Sequence, residues 1–129
     1  MGIKVLIVDD SKIVRKVVSK TLKLTGISIN ETYNASNGQV ALEIMKKEWI
    51  DIVFTDINMP EMDGVAMIDQ MQAEGLMETI PVVVISTEGS ETRKKQLTEK
   101  GVEAYLRKPI TPEKLRDIVK DILEIKDEN

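Results

Sequence analysis

The residues best suited to chemistry are acidic side chains that directly follow short apolar runs. Asp56 follows the run at residues 52–55, and Asp9 and Asp10 follow the run at residues 4–8. Runs of this length, bounded by turn residues, favour buried strands over helices. An unpaired carboxylate is costly inside a core, whereas open α/β sheets bind ligands at the carboxyl ends of their strands. Asp56 is therefore the first functional candidate.

Two further runs end in polar groups of complementary chemistry. Ser86 and Thr87 close the run that starts at residue 82, and Lys108 follows a strand-like run at 104–107. If these strand ends meet Asp56, several carboxylates at close quarters require a neutralising cation. An all-oxygen cluster suits Mg²⁺ or Mn²⁺. A carboxylate nucleophile, a divalent Lewis acid, a hydroxyl and a lysine together indicate an aspartyl-phosphate site.

Each of these residues, taken alone, has a plainer interpretation. A single Asp at the end of a strand is more often a turn residue or a helix cap, and Asp9 and Asp10 before a helix favour its dipole. Ser86 can satisfy local backbone groups, and most exposed lysines are simply solvated. The combination favours function, because four strand ends would otherwise have to deliver matching chemistry by accident.

Apolar and helical patterns alternate along the chain five times, which predicts a (βα)5 fold with one parallel sheet and helices on both faces. The first helix begins after the cap Ser11 and presents Val14, Val17, Val18 and Leu22 to the core. The predicted strands are residues 4–8, 32–35, 52–55, 82–86 and 104–107, and later helices begin near residues 38, 64, 91 and 112.

The first, third and fourth strands are the most apolar, as central strands should be, and the second and fifth are more polar. This pattern fits the flavodoxin-like strand order 2-1-3-4-5. In that order the strands that carry Asp9, Asp10 and Asp56 are neighbours. We expect residues 1–129 to form a single domain with a frayed tail at about 125–129.

The composition excludes several classes of function. With no cysteine and no histidine among 129 residues, disulfides, thiol catalysis, imidazole bases and the usual zinc sites are excluded. The lack of cysteine also fits a cytoplasmic protein. No apolar run approaches the roughly 20 residues of a membrane span. The net charge of −4 argues against sequence-independent binding to nucleic acid.

The chain resembles the receiver domains of two-component response regulators, of the stand-alone CheY-like type. The motifs that carry the resemblance run in order from Lys4 to about Leu123. They are Asp9-Asp10, Asp56 within Phe-Thr-Asp-Ile-Asn-Met-Pro, Asp63-Gly64, Ser86-Thr87, and Tyr105 three residues before Lys108-Pro109. Each motif is common alone, but this order and spacing are specific to the family.

The resemblance implies a role for each of these positions. Asp56 would accept a phosphoryl group from a histidine kinase, a histidine phosphotransferase or a small phosphodonor. Mg²⁺ would be held by Asp10, Asp56 and the backbone carbonyl of Asn58, with Asp9 acting through water. Lys108 would pair with the phosphoryl group. The remaining assignments are Ser86 as its hydrogen-bond donor, Ser86, Thr87 and Tyr105 as switch residues, and Asn58 and Glu88 as residues that tune dephosphorylation.

The resemblance also implies how the signal leaves the domain. The face built from the fourth helix, fifth strand and fifth helix would change its protein partners, such as a flagellar motor component or a relay protein. The fourth helix, about residues 91–100, has Leu97 as its one clear apolar anchor, which predicts low local stability. The protein would act as a monomeric switch in chemotaxis or relay signalling, without turnover of a separate substrate.

Two other functions remain open from the sequence. The first is an Mg²⁺-dependent phosphatase with an Asp nucleophile; such enzymes of the haloacid dehalogenase type place an acidic acid/base two residues later, where Asn58 stands. The second is a phosphorylation-independent scaffold with a vestigial site. Loss of Asp10, Asp56 or Lys108 would have favoured the scaffold, and all three are present.

Overall fold

One parallel sheet organises the chain, in a computed structural model that describes residues 2–87 and 89–125. Its five strands lie in the order β2-β1-β3-β4-β5, with every neighbouring pair parallel. The strands are β1 (Ile3–Val8), β2 (Ile29–Ala35), β3 (Ile52–Thr55), β4 (Val82–Ser86) and β5 (Ala104–Arg107). The predicted fold class and strand order are confirmed.

The strand order follows the hydrophobicity of the strands. Every residue of β3 and β4 is buried, because these apolar, β-branched segments are covered on both faces. The edge strands β2 and β5 carry polar residues and are partly exposed. Val8 at the end of β1 pairs with Ala35 on one side and Thr55 on the other. The carboxyl ends of β1 and β3 therefore lie side by side.

Five helices alternate with the strands: α1 (Lys12–Lys23), α2 (Gly38–Lys47), α3 (Gly64–Ala73), α4 (Glu91–Glu99) and α5 (Pro112–Leu123). Each begins after a residue whose side-chain oxygen accepts a hydrogen bond from the backbone N–H three residues later, which satisfies a donor that the helix leaves unpaired. These N-caps are Ser11, Asn37, Asp63, Ser90 and Thr111. The predicted cap at Ser11 is confirmed.

Buried side chains form one apolar cluster on each face of the sheet. Because side chains alternate along a strand, Leu6 lies in one cluster and its neighbour Ile7 in the other. Helices α2, α3 and α4 cover the face of Leu6, and α1 and α5 cover the face of Ile7. The sheet is thus the middle of three layers, and its carboxyl edge is left to the loops.

One residue of α1 departs from the predicted pattern. Val17 was expected to face the core, but it is 53% exposed. The buried stripe of α1 is formed by Val18, Thr21 and Leu22, and Val17 lies about 100° around the helix from Val18 at 3.6 residues per turn. The prediction for Val17 is therefore wrong, because Val17 lies beyond the edge of the stripe that packs against the sheet.

Three local features lie outside the predicted boundaries. Strand β2 starts at Ile29, earlier than expected, with a register irregularity opposite Ile3 and Lys4. Helix α1 ends at Lys23, and Gly26 adopts a φ of 81° in the turn that follows. A short 3₁₀ helix, Leu76–Glu78, precedes β4.

Two further predictions concern the tail of the chain and the lack of a membrane span. Ile125 is partly buried against the cluster that contains Ile7, and residues 126–129 of the expected frayed tail lie outside the described residues. Among the residues that the structure describes, no helix has both the length and the apolar character needed to cross a membrane.

Candidate functional site

Asp56 stands at the carboxyl end of β3, where the sheet holds it by its backbone. Its N–H donates to the carbonyl oxygen of Val8 at 3.0 Å, which extends the pairing of β3 with β1 by one residue. The side chain is half-buried, and its Oδ1 accepts a hydrogen bond from the N–H of Ile57 at 2.7 Å. One carboxylate oxygen is thus fixed, and Oδ2 is directed toward Lys108.

Asp9 and Asp10 follow β1 at the same edge. Asp9 continues the pairing with β2, since its N–H donates to the carbonyl oxygen of Ala35 at 3.0 Å, and its Oδ1 accepts from the N–H of Ser11 at 2.9 Å. Asp9 is only 5% exposed. Asp10, the next residue, is exposed, because consecutive residues of an extended chain point to opposite sides.

The surroundings of Asp9 disfavour its charged form. Burial raises the pKa of Asp9 above its usual value, and the neighbouring carboxylates of Asp56 and Asp10 act in the same direction. The N–H of Ser11 and the ammonium of Lys108 oppose this rise without cancelling it. A cation bound beside Asp9 would stabilise the ionised form and lower this pKa.

The three carboxylates form one cluster. One oxygen from each of Asp9, Asp10 and Asp56 lies within 4.8 Å of the others. The set offers only oxygen ligands, and its members range from buried to exposed, so a cation could keep part of its water shell. These are the ligand chemistry and the hydration that Mg²⁺ prefers. The residues therefore fit a divalent metal ion of this type.

Lys108 supplies the positive charge of the cluster. It follows β5, joined to Pro109 by a cis peptide bond, and its N–H donates to the carbonyl oxygen of Ser86 at 2.8 Å. Its Nζ lies 3.7 Å from Oδ2 of Asp9 and 4.0 Å from Oδ2 of Asp56. Both distances exceed those of direct hydrogen bonds, so the ammonium acts on both carboxylates as a point charge.

Two of the predicted switch residues lie on β4 and β5, and the third follows β4 directly. Ser86 is the last residue of β4 and is 1% exposed, whereas Thr87, the next residue, is exposed. Tyr105 pairs with Val84 across the two strands and is half-buried against the apolar cluster that contains Leu6. The structure thus brings Ser86 close to Lys108 through the backbone, and it places Tyr105 on the neighbouring edge strand.

The two positions assigned to dephosphorylation differ in what the structure describes. Asn58 is exposed two residues after Asp56, in the loop that precedes α3. Glu88 lies outside the described residues, so its predicted role stays a prediction.

Sequence reasoning missed the contacts of two residues. Nη1 of Arg15 donates to the backbone carbonyl oxygen of Asp9 at 2.6 Å, which ties α1 to the acidic loop. No local pattern in the sequence signals this contact, because it depends on how α1 packs against the loop that follows β1. Gly64 was noted only as part of a motif. A Cβ on Gly64 would overlap the carbonyl oxygen of Asp56 and lie 2.9 Å from Cα of Ile57.

Comparison with known proteins agrees with this arrangement. A family model described as the response regulator receiver domain matches residues 5–120. The chain belongs to this family. The receiver resemblance drawn from the motifs is therefore confirmed, and with it the assignment to two-component signalling.

Several of the similar proteins are described as chemotaxis proteins. The CheY homolog of Campylobacter jejuni is 33% identical over 121 residues, which are 93% of this chain and 92% of that protein. CheY-3 of Vibrio cholerae is 34% identical over 123 residues, or 95% of this chain and 93% of that protein. The receiver domain thus spans nearly the whole of this chain and of these relatives.

Solved structures show the same fold. CheY4 of Vibrio cholerae superposes with a TM-score of 0.83 at 32% identity, covering 95% of this chain and all 100% of that one. A chain of the CheX–CheY–BeF₃–Mg²⁺ complex of Borrelia burgdorferi superposes with a TM-score of 0.81 at 31% identity, covering 96% of this chain and 90% of that one.

Proposed function

We propose that this receiver accepts a phosphoryl group on Asp56 in an Mg²⁺-dependent reaction. The observation that carries the proposal is the meeting of Asp9, Asp10, Asp56 and Lys108 at one edge of the sheet. This set combines a carboxylate nucleophile, ligands for a hard cation and a fixed positive charge, which are the groups that phosphoryl transfer to a carboxylate requires. Membership in the receiver family supports the same assignment.

In the proposed reaction, Oδ2 of Asp56 attacks the phosphorus atom of a phosphohistidine on a kinase or phosphotransferase. The new P–O bond forms as the P–N bond breaks, and the histidine leaves with the electron pair of that bond. Oδ1 is already held by the N–H of Ile57 at 2.7 Å, which orients the carboxylate for attack through Oδ2. None of the 129 residues is a histidine, so the phosphohistidine donor lies outside this sequence.

Mg²⁺ would be held by Asp10, Asp56 and the backbone carbonyl of Asn58, with Asp9 contributing through water; Mn²⁺ suits the same ligands. When bound, the ion supplies charge that offsets both the carboxylates and the transferring phosphoryl oxygens. Lys108, which follows β5, adds a second positive charge. The hydroxyl of Ser86 donates a hydrogen bond to a phosphoryl oxygen.

Release of the phosphoryl group is the second half of the cycle. The exposed side chain of Asn58 stands two residues from the acceptor, where it and Glu88 would govern the approach of water. Polar residues at both positions favour a short-lived phosphoryl group.

The output face is proposed to be α4, β5 and α5. Phosphorylation adds charge next to Ser86 and Lys108, whose strands lead directly to this face. Thr87 and Tyr105 would rearrange with Ser86, and α4 is suited to move because Leu97 is its one buried residue. The partner would be a flagellar motor component or another signalling protein; the Borrelia complex pairs a CheY with CheX, beryllium trifluoride and Mg²⁺.

The residue at position 58 favours this switch over a phosphatase that turns over small substrates. Phosphatases with an Asp nucleophile, of the haloacid dehalogenase type, place an acid/base two residues after the nucleophile. Asn58 stands there in this chain, and an amide cannot serve as an acid/base.

The experiment is phosphorylation by acetyl phosphate in the presence of Mg²⁺, followed by rapid measurement of the intact mass. We expect the wild type to gain one phosphoryl group, and we expect no gain with Asp56→Asn or with EDTA. A wild-type protein that stays unmodified, although folded and tested with beryllofluoride as well, would favour the phosphorylation-independent scaffold. Equal modification of Asp56→Asn would show that the acceptor is a different residue.

A further inference from the structure

A cleft of about 380 Å³ lies at the end of the sheet opposite the carboxylate cluster. It is lined by Asp51 and Pro81, the residues that precede β3 and β4, and by the end of α5. Nothing in the phosphorylation site uses this cleft. Its lining residues are Trp49, Ile50, Asp51, Met77, Glu78, Thr79, Pro81, Glu103, Ile122, Leu123 and Glu124.

Trp49, the only tryptophan of the chain, stands exposed at this cleft in a fixed orientation. Its residue is 71% exposed, yet its Nε1 donates to Oδ1 of Asp51 at 2.9 Å. Asp51 is itself anchored to β1, because its Oδ2 accepts from the N–H of Lys4 at 2.7 Å and its own N–H donates to the carbonyl oxygen of Lys4 at 2.8 Å. The hydrogen bond to Asp51 thus orients a large exposed aromatic surface beside the cleft, and tryptophan is one of the residues enriched at binding hot spots.

The charged residues that line the cleft, among those that the structure describes, are all acidic. They are Asp51, Glu78, Glu103 and Glu124. Asp51 accepts hydrogen bonds from the indole of Trp49 and from the backbone N–H of Lys4. Among the described residues, no lysine or arginine forms an ion pair with Glu78, Glu103 or Glu124. The cleft therefore presents carboxylates that a partner can neutralise.

We propose that this cleft binds an arginine-bearing basic segment of a partner protein. A guanidinium group can stack on the face of the Trp49 indole and form paired hydrogen bonds with a glutamate. The apolar side chains of Met77 and Ile122 in the lining suit the methylene stem of arginine. Arginine fits better than lysine because its planar cation stacks on aromatic rings and bridges carboxylates.

The cleft lies at the amino ends of the strands, and the phosphorylation site lies at their carboxyl ends. A partner can therefore remain attached through the cleft whether or not Asp56 is phosphorylated. The proposal is independent of the proposed function and would survive the failure of that function.

Trp49 also provides the readout. The wild-type protein is titrated with the peptide acetyl-Arg-Gly-Arg-Gly-Arg-amide, and with the same peptide carrying neutral citrulline for arginine, at physiological salt. We expect saturable quenching of the indole emission with the arginine peptide, with Kd about fivefold or more below that of the citrulline peptide. Backbone amide shifts should map the peptide to Asp51, Glu78 and Glu103.

Variants separate a specific cleft from general attraction to an acidic protein. Replacing both cleft acids, Glu78→Gln with Glu103→Gln, should weaken the arginine peptide about fivefold or more. The matched control, Glu43→Gln with Glu31→Gln, removes two exposed charges on α2 and β2 and should leave Kd unchanged. Trp49→Leu, followed by the amide shifts, should weaken binding while keeping an apolar side chain. The thermal midpoint of each variant verifies its fold.

Four results would overturn the proposal. The first is equal affinity for the arginine and citrulline peptides. The second is an equal loss of affinity for the arginine peptide in the control variant and in the cleft variant. The third is no saturable binding up to about 5 mM peptide, which corresponds to a negligible affinity. The fourth is concentration-dependent quenching without peptide that disappears in the cleft variant, because a second copy of the chain would then be the occupant.

Discussion

At the scale of single residues, Asp9 is a carboxylate whose charged form the fold disfavours. Burial raises its pKa, so the folded protein keeps the proton of Asp9 at pH values at which the unfolded chain has released it. Its contribution to stability is then largest at low pH and decreases as the pH rises through the folded-state pKa. In the metal-free protein the ionised form of Asp9 therefore costs stability at neutral pH.

Replacement of Asp9 by asparagine should stabilise the metal-free protein. Asp9→Asn keeps an oxygen that can accept from the N–H of Ser11 but removes a desolvated charge. We expect the free energy of unfolding in EDTA to rise by roughly 1 kcal/mol at pH 7, with the gain disappearing near pH 4, where the unfolded aspartate itself takes up a proton. Urea denaturation at both pH values measures this.

The same substitution should weaken the binding of Mg²⁺, because one carboxylate is lost from the cluster. A metal-free Asp9→Asn variant that is less stable than the wild type at pH 7 would mean that the ion pair with Lys108 outweighs burial.

Lys108 is expected to transmit the signal. In Lys108→Ala, the three carboxylates remain, so phosphorylation by acetyl phosphate should still occur. The change at Tyr105 and α4 should be largely lost, because the ammonium 3.7 Å from Asp9 and 4.0 Å from Asp56 links β5 to the acceptor. Amide shifts on adding beryllofluoride and Mg²⁺ test this; shifts in α4 equal to those of the wild type would contradict it.

At the scale of elements, α4 and α3 differ in how firmly they are packed. Only Leu97 of α4 is buried, whereas α3 buries Gly64, Met67, Ile68 and Met71. Few buried contacts mean a low free energy of local opening.

Hydrogen exchange should reveal this difference. We expect the central amides of α4 to exchange about tenfold or more faster than those of α3 in the unphosphorylated protein. Leu97→Ala should widen the gap, since it removes the one buried anchor of α4. Equal protection of the two helices would contradict the assignment of α4 as the mobile part of the output face.

The start of α3 is fixed by a close contact rather than by conformation. In Gly64→Ala, the new Cβ would overlap the carbonyl oxygen of Asp56, and we expect a loss of about 2–3 kcal/mol in the free energy of unfolding together with weaker Mg²⁺ binding. Gly75→Ala is the comparison: its φ of 75° is strained for alanine, but its Cβ would meet no atom within 4 Å. It should cost about 1 kcal/mol and leave Mg²⁺ binding unchanged.

Local rules predicted the elements well and tertiary contacts poorly. Apolar runs and caps such as Ser11 predicted the strands and most helix starts, because these depend on neighbours in sequence, and the relative polarity of the strands predicted their order. Val17 was misplaced because periodicity does not say which edge of a valine-rich stripe meets the sheet. The contact of Arg15 with Asp9 and the close approach of Gly64 to Asp56 depend on packing between elements. No local sequence pattern contains this information.

At the scale of the whole molecule, the sheet separates two functional ends. The carboxylate cluster follows β1 and β3, and Trp49 precedes β3 at the far end. We therefore expect the emission of Trp49 to change by no more than about a tenth when beryllofluoride and Mg²⁺ are added, because electrostatic effects are screened over about 10 Å in physiological salt. A change as large as that caused by urea unfolding would mean that the two ends are coupled.

The central claim is that Asp56 is the phosphoacceptor. The most direct test is borohydride reduction of the acetyl-phosphate-treated protein, which converts an aspartyl phosphate into a stable alcohol, followed by peptide mass mapping. The account predicts reduction at Asp56 alone, dependent on Mg²⁺ and absent after treatment with EDTA. Reduction at Asp9 or Asp10 instead would contradict the account, because the nucleophile would then belong to β1 rather than β3.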